Sequence, residues 1–172
     1  MALLLNSALV NRMTGNTSGY DLLTNGAFVT DPLGVSWTNT KGGAYVATAS
    51  AGARSTTGYV SLTSDGASGE IRHSSAVPIN GNQDHELSLY CQMPTTNGSG
   101  LTVNIGTTAG ATDLLSHQYL PIAADYDKWK RVRVSFRVPS ATTKNIYISL
   151  LATTVITTKV VSAQDISLAL LR

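Results

Sequence analysis

The segment Trp129–Val138 reads WKRVRVSFRV, and apolar residues alternate with charged or polar ones along most of its length. The apolar set is Val132, Val134, Phe136 and Val138, and the opposite set is Arg131, Arg133, Ser135 and Arg137. Successive side chains of a β-strand point to opposite faces of the sheet. The segment therefore predicts a strand with one face on a core and the other on solvent or a partner.

Two later segments alternate in the same way, and turn signals separate many shorter ones. Ile146, Ile148 and Leu150 share one side of the first, and Ile166, Leu168 and Leu170 share one side of the second. Asn-Gly and Asp-Gly pairs recur from residue 25 onward. The candidate strands are residues 21–28, 44–50, 57–63, 68–77, 84–93, 100–107, 114–120, 129–138, 145–152 and 164–171. Short strands at close spacing predict an all-β sandwich or barrel.

The composition fits one β-domain with a weakly charged surface. The 172 residues are enough for one domain with its own core and few for two. Charged residues make up 13% of the chain, against a usual share of roughly 25%. The net charge of +2 gives no reason to expect nucleic acid as a partner. Cys91 is the sole cysteine, so no internal disulfide is expected, and its parity with Leu87 and Leu89 predicts that it is buried.

The first 20 residues differ from the rest of the sequence. Their apolar residues, notably Leu3, Leu4, Leu5, Leu9 and Val10, precede a polar stretch rich in Gly, Thr and Ser. This pattern predicts an assembly arm and a joint at 1–20, followed by the sandwich domain at 21–172. The alternative is a first strand or short helix that packs on its own domain. The chain shows neither a signal peptide nor the roughly 20 apolar residues of a membrane span, so we expect it to be used without secretion and without membrane contact.

Three short motifs lie between residues 22 and 168. LLTNGAF occupies 22–28 and is followed by Trp37, ELSLY occupies 86–90, and Trp129 and Phe136 precede DISL at 165–168. In this order they resemble the opening, central and closing motifs of jelly-roll carbohydrate-binding modules of the galactose-binding-like type. The resemblance covers residues 20–172. It implies a jelly-roll β-sandwich in which Trp37 and Trp129 are packing residues.

The same resemblance implies a position for a structural calcium ion. Family members often bind it through a Glu after the Phe of the opening motif and through paired Asp residues near the end. This chain has Val29 and Gln164 at two of these positions, which leaves Asp165. Because calcium prefers several oxygen ligands including carboxylates, only Asn25, Asp31 and Asp165 remain as calcium candidates.

No grouping of residues predicts catalysis or a cofactor. In the cluster Asp84–Glu86, a strand would point His85 away from both carboxylates. His73 and His117 lack the spacing of a zinc motif. Neither a nucleophile elbow, nor a phosphate-binding loop, nor a dinucleotide fingerprint is present. We therefore expect a non-enzymatic protein with no cofactor and no essential metal.

Two functions fit these features. The leading one is a virion structural protein of a tailed bacteriophage, either a capsid decoration (cement) protein or a tail or fibre accessory subunit. Its arm would then mediate assembly, Arg131, Arg133 and Arg137 would dock on an acidic capsid or tail protein, and the protein would be a homotrimer in the virion. The alternative is a carbohydrate-binding module that mediates adhesion to a glycan, with Tyr45, Tyr59 and Tyr126 as candidate glycan contacts.

Overall fold

A computed structural model of the protein describes residues 21–23, 25–47, 54, 57–63, 69–93, 100–152 and 160–171. The strands are β1 (Trp37–Lys41), β2 (Gly43–Val46), β3 (Tyr59–Thr63), β4 (Gly69–His73), β5 (Val77–Ile79), β6 (Asp84–Gln92), β7 (Leu101–Gly106), β8 (Leu115–Tyr119), β9 (Lys130–Arg137), β10 (Lys144–Ala152) and β11 (Val160–Leu170). A 3-10 turn, Ala123–Asp125, precedes β9. The predicted arm, residues 1–20, lies outside the described residues.

The strands form two antiparallel sheets that pack face to face. One sheet has the order β1-β4-β10-β7-β8, with β5 paired to β10, and the other has the order β2-β3-β11-β6-β9. The inner faces of both sheets are apolar and make one core, in which residues such as Leu62, Leu89, Ile105 and Ile148 are buried. This arrangement is the jelly-roll β-sandwich that the sequence predicts. Within the described residues, no helix is long and apolar enough to cross a membrane.

A β-bulge in β11 keeps both halves of that strand in contact with the core. Gln164 pairs with Tyr90, and Ser167 pairs with Ser88, so three steps along β11 match two steps along β6. The backbone of Asp165 takes a φ of 51° at this point. The extra residue changes the parity of the strand, because Val161 and Ala163 face inward before the bulge and Ile166 and Leu168 face inward after it.

Some predicted strand bounds are wrong. The described residues of 21–28 form turns, since Asn25 and Phe28 have positive φ angles of 50° and 52°, which a strand cannot contain. The segment 68–77 is divided between β4 and β5 by a bend at Ser74 and Ser75. β1 was not predicted, because its sequence WTNTK buries only Trp37 and so gives no alternation of apolar residues.

Candidate functional site

The candidate site lies on the side of the β2-β3-β11-β6-β9 sheet that faces away from the core, here called the outer face. Strand register places Gln164 of β11 beside Tyr90 of β6, and Tyr90 beside Arg131 of β9. These three side chains therefore form one row across the sheet. Ser162 and Gln92 are paired in the next row. The outer face thus carries aromatic, amide and guanidinium groups within a few residues of each other.

A loop is fastened to the outer face by the side chain of Gln164, which is fully buried. The amide group of Gln164 donates to the Thr57 carbonyl at 2.7 Å and to the Thr57 hydroxyl at 3.0 Å. Its oxygen accepts from the backbone N–H of Arg54 at 2.9 Å. Because both ends of the amide are satisfied by the loop, its burial costs little and its position is fixed.

The bulge residue Asp165 continues this contact. One carboxylate oxygen accepts from the Thr57 hydroxyl at 3.1 Å, and the other forms an ion pair with the Arg54 guanidinium. The same guanidinium lies over the ring of Tyr90, 3.6 Å from its centroid, in cation–π geometry. Arg54 therefore links the bulge to the aromatic row of the outer face.

An aromatic bridge, formed by Tyr59 and Trp129, crosses the outer face. The two ring centroids are 5.8 Å apart, and the ring planes meet at 71°. Tyr59 belongs to β3 and Trp129 precedes β9, and strands β11 and β6 lie between these two in the sheet. The rings must therefore meet above the intervening strands. The bridge places two aromatic surfaces beside the row that contains Tyr90.

The position of Trp129 corrects an implication of the family resemblance. Trp37 is fully buried, as a packing residue should be, and its ring meets Phe28 and His73 edge-on. Trp129 is only half-buried and is not part of the core. It shares the parity of Arg131, and alternation directs both of them outward.

The three predicted docking arginines all lie on the outer face and are exposed. The Arg133 Nε is 3.6 Å from a carboxylate oxygen of Glu86, and the Arg137 Nε is 3.9 Å from one of Asp84. Arg131 instead donates to the Ser88 hydroxyl at 3.3 Å. Docking of these residues on a protein partner stays a prediction.

The three tyrosines predicted as glycan contacts have different environments. Tyr59 forms half of the aromatic bridge. Tyr45 is half-buried against the core, and its hydroxyl donates to the Phe28 carbonyl at 3.4 Å. Its ring leaves no room for a side chain at position 58, where an added Cβ would lie 2.4 Å from the ring, so Gly58 allows the ring to pack. Tyr126 is half-buried and ends the 3-10 turn. Only Tyr59 of the three belongs to the outer face.

The three calcium candidates each make contacts within the protein, and calcium binding by them stays a prediction. The Asn25 amide donates to the Thr30 carbonyl at 3.2 Å, and the Asp31 carboxylate accepts from the Leu33 N–H at 2.9 Å, so each serves a local turn. Asp165 already has a cation beside it, the guanidinium of Arg54. No group of three or more His, Cys, Asp or Glu side chains is arranged for a metal within the described ranges.

The remaining titratable residues behave as structural groups. Asp84 and Glu86 face outward, whereas His85 is buried, with its ring stacked on Phe136 at a centroid distance of 5.7 Å. The three side chains do not converge, which confirms the prediction from strand parity. Burial raises the pKa of the Cys91 thiol, so this cysteine is a buried apolar residue and not a nucleophile.

A concavity with a volume of about 480 Å³ lies away from the outer face, near the ends of β7 and β9 and the start of β10. Asp113 lines it together with Lys144 and Thr107. The Thr107 hydroxyl and N–H donate to the Asp113 carboxylate at 2.7 Å and 2.9 Å, and these bonds lower the pKa of Asp113. Both oxygens of the Asp113 carboxylate are therefore hydrogen-bonded to Thr107. The residues that line the concavity include no aromatic side chain.

Sequence reasoning missed Tyr90, Gln92, Gln164 and Arg54 as members of the site. The parity of β6 could have placed Tyr90 and Gln92 on the outer face, since Leu87, Leu89 and Cys91 face inward. The bulge hides the parity of Gln164. Arg54 stands in a stretch of small residues, and its contacts with Tyr90, Gln164 and Asp165 join residues that are distant in sequence, so the local sequence gives no signal of them.

Comparison with solved structures identifies the class of fold. A family 16 carbohydrate-binding module matches with a TM-score of 0.61 and 16% identity over 87% of this chain and 99% of its own. The carbohydrate-binding module TmCBM61, solved with β-1,4-galactotriose, matches with a TM-score of 0.60 and 14% identity over 88% of this chain and 99% of its own. At such identities the likeness shows the fold alone, which is that of jelly-roll carbohydrate-binding modules.

The same fold occurs as one part of larger proteins. The enzymatically active domain of tailspike protein 4 of bacteriophage CBA120 matches with a TM-score of 0.57 and 12% identity over 88% of this chain. This chain spans only 21% of that structure and 27% of a matching α-L-arabinofuranosidase. No family model matches the sequence, and a search of curated proteins also found no match.

Proposed function

We propose that this protein is a glycan-binding module and that its outer face is the binding surface. The observation that carries the proposal is the aromatic bridge of Tyr59 and Trp129 beside Tyr90, Gln92 and Arg131, on a fold shared with carbohydrate-binding modules. Aromatic rings offer flat apolar surfaces for the C–H faces of sugars, while amide and guanidinium groups bind sugar hydroxyls. A few oriented polar groups among aromatic ones are the usual composition of a small-molecule site.

The test is a glycan array followed by calorimetry on any glycan that binds. We expect Tyr59→Ala and Trp129→Ala to lower the affinity by about tenfold or more, as truncation of a central aromatic contact usually does. Tyr147→Ala is the matched control, because Tyr147 is a half-buried aromatic residue on β10 of the opposite sheet. The proposal is wrong if the folded protein binds no glycan, or if the bridge variants bind as tightly as the control.

A second candidate function is that of a tail or fibre accessory subunit in a bacteriophage virion. Its support is the fold shared with the CBA120 tailspike. This role is compatible with glycan binding, since a tail subunit or a fibre subunit can present a sugar-binding face. The capsid decoration role, which led the sequence-based expectations, has no support in these comparisons, and glycan binding replaces it as the leading proposal. Co-purification with tail proteins encoded beside its gene would test the tail role.

A further inference from the structure

Positive charge is distributed unevenly along the outer side of β9. At one end, Arg137 and Arg133 have the carboxylates of Asp84 and Glu86 within ion-pair distance. At the other end, Arg131 is paired in register with Tyr90 and donates a hydrogen bond to the Ser88 hydroxyl. Among the described residues, no carboxylate lies within ion-pair distance of Arg131. Lys130 pairs with Asp125 at 2.6 Å, so within the described part of the chain Arg131 is the cationic residue of β9 that has no carboxylate partner. Its charge therefore remains available to an external anion.

The available charge lies within the aromatic part of the outer face. Arg131 is beside Tyr90 in the same row, and it is two residues from Trp129, a separation of about 6.6 Å along a strand. Tyr59, which contacts Trp129, completes the aromatic surface. A sugar that stacks on the aromatic bridge would thus bring its ring substituents close to the guanidinium of Arg131.

A guanidinium group favours a particular kind of substituent. Its planar fork donates two parallel hydrogen bonds to a carboxylate, and such charge-assisted bonds are roughly twice as strong as those to neutral groups. Sugar hydroxyls accept hydrogen bonds but do not neutralise the charge. The geometry therefore selects an acidic sugar over a neutral one at this position.

We infer that the glycan bound on the outer face contains uronic acid residues, and that Arg131 binds their carboxylate. This inference rests on the proposed glycan-binding function. Arg131 acts as a specificity-determining residue, and the aromatic bridge supplies the stacking that neutral and acidic sugars share. The family resemblance does not imply this preference, because it follows from the charge pattern of β9 in this chain.

The experiment uses a panel of oligouronates, each paired with its methyl ester, which has the same sugar backbone without the charge. Calorimetry should show that the acids bind about tenfold or more tightly than the esters, and that added salt weakens the acids selectively. Arg131→Gln should remove this preference, while Arg131→Lys should keep part of it. Arg137→Gln is the matched control on the same strand and face, and it should leave the preference intact.

The outcomes separate the inference from the function on which it rests. Equal binding of acids and esters, unaffected by Arg131→Gln, overturns the inference and leaves glycan binding in place. Tight binding of sulfated oligosaccharides with none of oligouronates also overturns it, because the assignment is to a carboxylate. If neither neutral nor acidic glycans bind the folded protein, the proposed function fails and the inference fails with it.

Discussion

Replacement of Gln164 by Met should destabilise the protein by about 3 kcal/mol. Methionine has a similar volume, so the change removes hydrogen bonds without opening a large cavity. Among the described residues, the Gln164 amide makes three hydrogen bonds, two with Thr57 and one with the Arg54 N–H. At about 1 kcal/mol for each of these partly buried bonds, the sum is about 3 kcal/mol.

Urea unfolding followed by tryptophan fluorescence measures this loss as a change in the midpoint at constant slope. Gln92→Met is the matched control, because Gln92 makes one hydrogen bond, to the Asp127 carbonyl at 2.8 Å, near the protein surface. We expect the control to cost about 1 kcal/mol or less. Amide hydrogen exchange adds a local measurement, since the Arg54 N–H should exchange faster in Gln164→Met than in the control.

A particular result would refute the reasoning. Suppose that the free energy of unfolding of Gln164→Met lies within about 0.5 kcal/mol of the native value, as is typical of neutral surface changes, and that the Arg54 N–H exchanges at its native rate. The Gln164 amide then does not hold the loop in place. A large loss of stability with unchanged exchange at Arg54 would also contradict it, because the loss would then come from packing within the sheet.

Further predictions concern charge, metal and assembly. A chelator should leave the melting temperature unchanged, because the guanidinium of Arg54 already accompanies Asp165; a drop of several degrees would contradict this. Burial raises the pKa of Asp21 above 3.8, so its charged form is destabilising in the folded state and the native protein should gain stability from this group as the pH falls from 7 towards 4. Asp21→Asn retains an oxygen for the N–H groups of Leu23 and Leu168, so urea midpoints at pH 4 and pH 7 should show a smaller gain for the variant than for the native protein. Deletion of residues 2–12 should leave a folded protein that no longer joins its assembly, and unfolding of the truncated chain would instead place these residues in its own core. Light scattering should show a homotrimer, and a monodisperse monomer would contradict this.

The strands with strict alternation could be predicted from the sequence almost to the residue. The segment 129–138 corresponds to β9 at Lys130–Arg137, and 84–93 corresponds to β6 at Asp84–Gln92. One face of each strand packs on the core, so the apolar residues in the sequence mark the positions that are buried. The buried position of Cys91 followed from the same rule.

The site could not be predicted to the same extent, because its contacts join residues far apart in sequence. Arg54 and Gln164 are 110 positions apart, and the strand that carries Gln164 changes parity at the bulge. A period-2 pattern predicts which face a side chain takes only while the strand stays regular. The aromatic bridge is similarly hidden, since nothing near Tyr59 in the sequence indicates that Trp129 crosses two strands to meet it.

The bulge at Asp165 determines which side chains of β11 face the core beyond it. Up to Ala163 the odd-numbered residues of β11 face the core, and from Ile166 onward the even-numbered residues face it. If β11 alternated regularly through Asp165, Ile166 and Leu168 would face solvent. Deletion of Asp165 alone would restore regular alternation with both side chains still facing the core. Substitutions at Asp165 that tolerate a positive φ, such as asparagine or glycine, keep the bulge intact. Asp165 is therefore an extra residue in an otherwise regular strand, and its carboxylate joins that strand to Thr57 and Arg54.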